Sequence, residues 1–279
     1  MMSLYSFLSA IELGLIYSLM VLGLFLSYRV LNIPDLTVDG SFTLGAAVAV
    51  VMTLSRHPIL GLFAAILAGA AAGFLTAFLQ TKMKIQPILA GIITMTALYS
   101  INLMVMDNKA NLPLAQGESI YHNLPGMLLS GLAAIGVAAV LVLFLQTPVG
   151  LAVRATGDNE AMVRSSSINA DRMKMAGLSI ANACVALSGA LIAHYNRYAE
   201  GRMGTGMVVI GLASLIVGAS EGGVLGRREW HALANHRGRR DRRAHLPAEG
   251  RGPRMGMRAV FRHHREDAPR MGPVGTLRL

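Results

Sequence analysis

Over residues 1–220, long apolar runs alternate with short polar breaks, and this pattern is the main structural signal in the chain. A hydrocarbon layer about 30 Å thick needs roughly 20 consecutive apolar residues of helix to cross it. Six runs meet that length: Ala10–Leu31, Leu36–Leu54, Ile59–Gln80, Pro87–Met106, Leu124–Gln146 and Ala176–Tyr195. A seventh begins at Met207 and runs out at Ala219, too short to span. A helix that stops inside lipid leaves backbone groups unsatisfied, at considerable cost. The pattern therefore predicts an all-α, polytopic transmembrane helix bundle over 1–219, with about seven spans and the last incomplete. The first run has no basic flank before it and no small-residue cleavage site after it, so it reads as a retained helix.

Composition agrees with this pattern. The chain is 53% hydrophobic and only 14% charged, too apolar for an ordinary soluble domain. Its single cysteine, Cys184, lies in an apolar run, so neither a disulfide framework nor a cysteine metal cluster is available. Orientation follows from Lys and Arg in short loops. Lys82 and Lys84 in the Thr81–Gln86 turn, and Arg154, Arg164, Arg172 and Lys174 in Thr147–Met175, place both segments on the cytoplasmic side. The intervening Asp107–Asn123 loop fits the outer side.

Three segments carry candidate chemistry. In LNIPDLTVDGSFTL, residues 31–44, two carboxylates and a glycine sit between apolar runs. Pro34-Asp35 and Asp39-Gly40 are placed to break a helix within the membrane, and ionisable groups at that depth usually face a protein interior or a water-filled path. The simpler reading has Asp39 capping the helix that follows. The second segment, TPVGLAVRATGDNEAMVRSSSINADRMKMAG, suggests a short amphipathic helix over Asn159–Ser166. Asp158 would cap it, and Asn169 and Asp171 would form a turn beyond it. It reads either as a docking element for a cytosolic partner or as a solvated loop. The third is a set of polar residues within spans: Thr94, Thr96, Ser100 and Asn102, then Ser179, Asn182 and Ser188. Each taken singly is by default a packing hydrogen bond between helices. His194, at the outer end of its helix, reads as interfacial. No phosphate-binding loop, metal-binding His pair or catalytic triad can be read in the chain. It is not expected to be an enzyme or to hold a cofactor or metal, and any ATP must be bound by another subunit.

After residue 220 the character changes. Residues 221–279 carry 14 of the 25 basic residues, all Arg, with no Lys, Ile, Tyr, Ser, Gln or Cys. One reading is a basic arm on a membrane scaffold, attracting anionic lipid or nucleic acid. The genetic code offers another. NHRGRRDRR, residues 235–243, written with CGN arginine codons and read one base later, yields only Ile, Thr, Val, Ala, Gly, Asp or Glu. Such a product can be an apolar membrane helix. Residues 221–279 are therefore read as an irregular, Arg-rich, frameshifted tail with the shift near Ala219–Gly226, and nucleic acid is not expected as a partner.

Several segments together resemble a known family. LNIPDLTVDGSFTLGAA, KMKIQPILAGIITMTALYSINL, TPVGLAVRATGDNEAMVRSSSIN, GLSIANACVALSGALIA and GMVVIGLASLIVG occur in this order. They are similar to the permease subunit of bacterial ABC importers of the branched-chain amino acid and ribose permease superfamily, on the branch of tryptophan/tyrosine-type permeases. The likeness covers roughly residues 8–219. It implies a multi-pass protein of the bacterial inner membrane, paired as a homodimer within the lipid. A cytosolic ATP-binding subunit and an extracytoplasmic substrate-binding protein would be its partners. Substrates would be amino acids or similar small solutes. It also implies that Arg154, Gly157, Asp158, Asn159, Glu160 and Ala161 lie in the element that couples to the ATPase. Asp39, Ser41, Thr94, Thr96, Asn102, Asn182 and Ser188 become candidates for the translocation path. Where the wider superfamily often has Gly before the Ile of the coupling loop, this chain has Ser167. A secondary transporter is the other transport reading, and it would need no ATPase.

Overall fold

A computed structural model describes residues 4–114, 120–122 and 126–218. The Arg-rich tail expected at 221–279 lies outside the described residues. Helix α1 (Leu4–Leu24) continues as a π-helical segment, Phe25–Val30, and is followed by α2 (Thr37–Leu54), α3 (Pro58–Thr81), α4 (Pro87–Val105) and α5 (Gly126–Gln146). Two short helices, α6 (Pro148–Asp158) and α7 (Glu160–Ser165), lead into the long α8 (Ala170–Asn196). The last helix among the described residues, α9, covers Met207–Gly218. Strands β1 (Asn111–Pro113) and β2 (Tyr198–Glu200) pair antiparallel as a small ribbon, with Leu112 opposite Ala199.

Six of the described helices are long and apolar enough to cross a membrane, with bounds within a few residues of those read from the sequence. The largest difference is α8, which starts at Ala170 because Asn169 caps it by accepting the Arg172 amide. Asp171 therefore lies in the first turn of α8 instead of a loop. Prolines open α3, α4 and α6 at positions where no helical hydrogen bond is lost.

α2 and α8 form the core. The membrane-length windows of α2 and α8 are 72% and 67% buried, against 17% for α5, which places α5 at the perimeter. Small residues allow this close approach in a medium where apolar contact alone gives helices little reason to associate. Gly45 packs on the backbone of Ala186, Gly189 on Phe42, and Gly69 and Gly73 on Asn182 and Leu178, leaving no room for a Cβ. Ser41 beside Asn182, Gly45 beside Ala186 and Thr53 beside His194 make α2 parallel to α8, and the Gly69 and Gly73 contacts make α3 antiparallel to it. Arg197, at φ 62, ends α8 in a left-handed turn and sends the chain into β2.

Neither α2 nor α9 is an ordinary crossing. After α1 the chain unwinds at Leu31, Asn32 takes φ 57, and residues 32–36 belong to no helix or strand. Ser27 fastens this stretch, its hydroxyl and carbonyl bonding the carbonyl and amide of Ile33 at 2.9 and 3.0 Å. α2 then starts beside the middle of α8. α9 likewise starts inside the bundle, below the ribbon, with Gly204 against Asp39 and Gly211 against Leu24. The short apolar run read at 207–219 is this helix over its described residues, Met207–Gly218.

Candidate translocation cleft and coupling segment

The residues that open α2 and α9 are held by two aspartates. Asp35 is fully buried; its Oδ1 accepts the Thr37 amide at 2.8 Å and its Oδ2 accepts Asn182 Nδ2 at 2.7 Å. Asn182 Oδ1 in turn accepts the hydroxyl of Ser41 at 2.7 Å. Thr37 and Thr76 share a further buried hydroxyl bond of 2.8 Å, tying α2 to α3. A charged group taken out of water is tolerated only when its lone pairs are filled in this way.

Asp39 lies in the first turn of α2 but caps a different helix. Its Oδ2 accepts the amide of Gly206 and its Oδ1 the amide of Val208, both at 2.9 Å. These are orphan donors at the start of α9, and a carboxylate there also meets the positive end of the helix dipole. Thr43 assists, accepting the Gly204 amide at 2.9 Å. The simpler sequence reading of Asp39, as cap of its own following helix, is thus replaced by a tie across the fold.

Beside this tie lies an open cleft of about 240 Å³. Asp39, Gly40 and Thr43 form one wall, Thr96, Tyr99 and Asn102 of α4 another, and Arg202 and Thr205 of the ribbon-to-α9 turn a third. The Arg202 guanidinium stands 5.7 Å from the centre of the Tyr99 ring. Asn102 is buried and donates to the Gly40 carbonyl at 3.4 Å, while its Oδ1 has no partner among the described residues.

The structure divides the seven path candidates. Asp39, Thr96 and Asn102 share the cleft. Ser41 and Asn182 belong to the buried Asp35 network. Thr94 is buried and bonds back to Ala90 of its own helix, and Ser188 bonds the Ile16 carbonyl of α1 at 2.8 Å; neither lines the cleft. His194 is fully buried with Thr53 at 3.4 Å, which corrects its interfacial reading: the last turn of α8 is covered by α2. Tyr99, Arg202 and Thr205 did not stand out in the sequence. Arg202 was detectable in principle, as a lone cation in a Gly-rich stretch immediately before an apolar run.

The segment 147–175 is more helical than its sequence suggested. Thr147 caps α6 by accepting the Gly150 amide at 3.1 Å, and α6 runs to Asp158, with Arg154 exposed on it. Gly157 packs against the carbonyl of Val30 with no room for a side chain. Asn159, and not Asp158, caps α7, its Oδ1 accepting the Met162 amide at 3.1 Å; Asp158 is the last residue of α6. Ala161 is exposed on α7. Glu160 binds Arg164 at 2.9 Å and Lys174 of α8 at 2.7 Å, and Arg164 also reaches Asp171 at 2.7 Å. Hydrogen bonds from Lys174, then from Arg164, hold the Glu160 carboxyl below the usual carboxylate range. Ser167, between α7 and α8, sits at φ 61, the left-handed conformation that glycine adopts without penalty. Among the described residues, no cluster of His, Cys, Asp or Glu could hold a metal ion.

The comparisons with known proteins agree with this architecture. Residues 6–227 match the family described as branched-chain amino acid transport system / permease component. The chain is 38% identical over 213 residues to a tyrosine transport system permease protein of Clostridioides difficile, covering 76% of this chain and 72% of that protein. It is 33% identical over 222 residues to an uncharacterised protein of Rickettsia prowazekii, covering 76% of each. The ribose import permease protein of Haemophilus influenzae is 25% identical over 67% of this chain and 60% of its own length. No solved structure matches. The chain belongs to the branched-chain amino acid transport system permease family. It is a multi-pass inner-membrane permease component of an ABC-type transport system, and not an enzyme.

Proposed function

We propose that this permease is the membrane subunit of an ATP-driven importer of amino acids, working as a homodimer with a cytosolic ATP-binding subunit and an extracytoplasmic binding protein. The tyrosine permease relative supports the amino-acid class. The segment 147–175 is the coupling element, with α7 and the end of α6 (Arg154, Gly157, Asp158, Asn159, Glu160 and Ala161) facing the ATPase. The observation that carries this reading is an unbroken chain of contacts from that segment to the cleft. Glu160 of α7 holds Lys174 of α8. Asn182 of α8 holds Asp35 and Ser41 at the start of α2. Asp39 of α2 holds the start of α9 and forms a cleft wall. Closure of the ATPases would bias this chain between two arrangements and so switch access to the path.

We also propose that the working permease sequence lies in residues 1–219 and that residues 221–279 are out of frame. The family match stops at residue 227, where the Arg-rich run begins. The nucleotide sequence tests this: another frame after codon 219 should encode apolar helices. Function is tested in proteoliposomes with the two partner proteins, using this chain and its frame-restored form. Uptake of L-tyrosine by the restored form should require ATP and both partners. Uptake driven by an ion gradient without the ATPase would identify a secondary transporter instead.

A further inference from the structure

We propose that the cleft beside Asp39 is a recognition subsite for the carboxylate of an amino-acid substrate, with Arg202 as the group that binds it and Tyr99 and Met95 as the surface for the side chain. This rests on the amino-acid reading above. Arg202 pairs with no carboxylate among the described residues, and it is exposed on the cleft wall. The Tyr99 ring beneath its guanidinium holds that group by cation–π attraction while leaving its edge donors free. A planar fork of N–H donors fits a carboxylate in bidentate fashion, so a fixed and unpaired guanidinium is suited to that ligand.

The other charged group in the cleft does not compete. Both oxygens of Asp39 are taken by the Gly206 and Val208 amides, and the α9 dipole offsets the charge. Its ties also fix the turn that carries Arg202 and Thr205. Asn102 supplies a buried amide oxygen still lacking a donor, the complement of a substrate ammonium group. The wall thus offers a cation, an acceptor and an aromatic face around a volume of about 240 Å³, the inventory an aromatic or other apolar amino acid requires.

The test uses the full chain in lipid nanodiscs, with Thr205→Cys as reporter; Cys184 is buried and should stay silent. The rate of modification by a charged methanethiosulfonate is followed with L-tyrosine, with 3-(4-hydroxyphenyl)propionate, which lacks the ammonium, and with tyramine, which lacks the carboxylate. The two carboxylate ligands should slow labelling several-fold and tyramine should not. Adding Arg202→Gln should abolish that protection, whereas Arg202→Lys should retain part of it. Because Arg202 is exposed, both variants should elute and melt as the parent does. Equal protection by tyramine, protection unchanged in Arg202→Gln, or no protection by L-tyrosine at millimolar concentration would each overturn the proposal. ATP hydrolysis stimulated by the binding protein is measured in parallel on the frame-restored complex. If it is present and Arg202→Gln leaves protection unchanged, only the subsite fails; if it is absent, the importer reading fails.

Discussion

Asp39 Oδ2 and the amide of Gly206 meet at 2.9 Å although 167 residues separate them in the sequence. The bond, with its companion to Val208, joins the start of α2 to the start of α9. The carboxylate fills amides at the start of α9 that have no partner within their own helix. Asp39→Ala should therefore destabilise the protein by about 1–2 kcal/mol, the size of a lost helix cap. Asp39→Asn, which keeps one acceptor, should lose less. Thermal unfolding in detergent by tryptophan-independent circular dichroism measures both, and equal melting of Asp39→Ala and parent would contradict the tie.

Asn182→Leu removes the donor to Asp35 and the acceptor for Ser41 together. A buried carboxylate that loses a partner costs more than the bond was worth, so a loss of about 2–4 kcal/mol is expected. Asp35→Asn should recover part of it in the Asn182→Leu background, because the residual group is then neutral. A double-mutant cycle on unfolding free energies reads the coupling, which should be at least about 1 kcal/mol. Strict additivity would contradict the network.

Ser167 occupies a left-handed conformation that costs a residue with a Cβ on the order of 1 kcal/mol. Ser167→Gly should relieve it and be neutral or slightly stabilising despite the greater freedom of glycine in the unfolded chain. Ser167→Val should destabilise the α7–α8 connection. Hydrogen exchange across residues 160–175 distinguishes the two, and greater protection in Ser167→Val than in Ser167→Gly would be the wrong sign.

The Glu160 carboxyl is held below its ordinary value of 4.5 by Lys174 and Arg164. Its contribution to holding α7 on α8 is therefore fully present above that value and is lost as pH falls through the lowered one. With 38% of the side chain exposed, solvent screening limits the effect to under about 1 kcal/mol. Exchange of α7 amides, corrected for intrinsic rate, should rise below pH of about 4.5 in the parent. In Glu160→Gln that step should be missing and α7 should be equally loose at neutral pH.

Six spans were legible in the sequence because length and apolarity decide that property and both are local. The Asp35–Asn182 bond was not, since it joins residues 147 apart and depends on the register of α2 against α8. Asp39 could be read as a cap, but the helix it caps is set by the return of the chain below the ribbon. The carboxylate that holds the start of α9 lies 167 residues earlier in the chain, so no local pattern could show it. In the segment 147–175, Asn159 prevailed over Asp158 as cap because α6, unforeseen as a helix, extends to include Asp158. The cleft drew on three elements far apart in sequence, so Tyr99 and Arg202 could not be connected before the fold was known.

Coupling through α7 is most directly tested by cysteine cross-linking of the permease to its ATP-binding subunit in membranes. Ala161→Cys on α7 should cross-link to a cysteine placed in that subunit's transmembrane-facing surface, and ATP should change the yield. Thr205→Cys, at the cleft, should give no product. Failure of Ala161→Cys to cross-link in an assembled complex, or a product at Thr205→Cys, would contradict the coupling role of this segment.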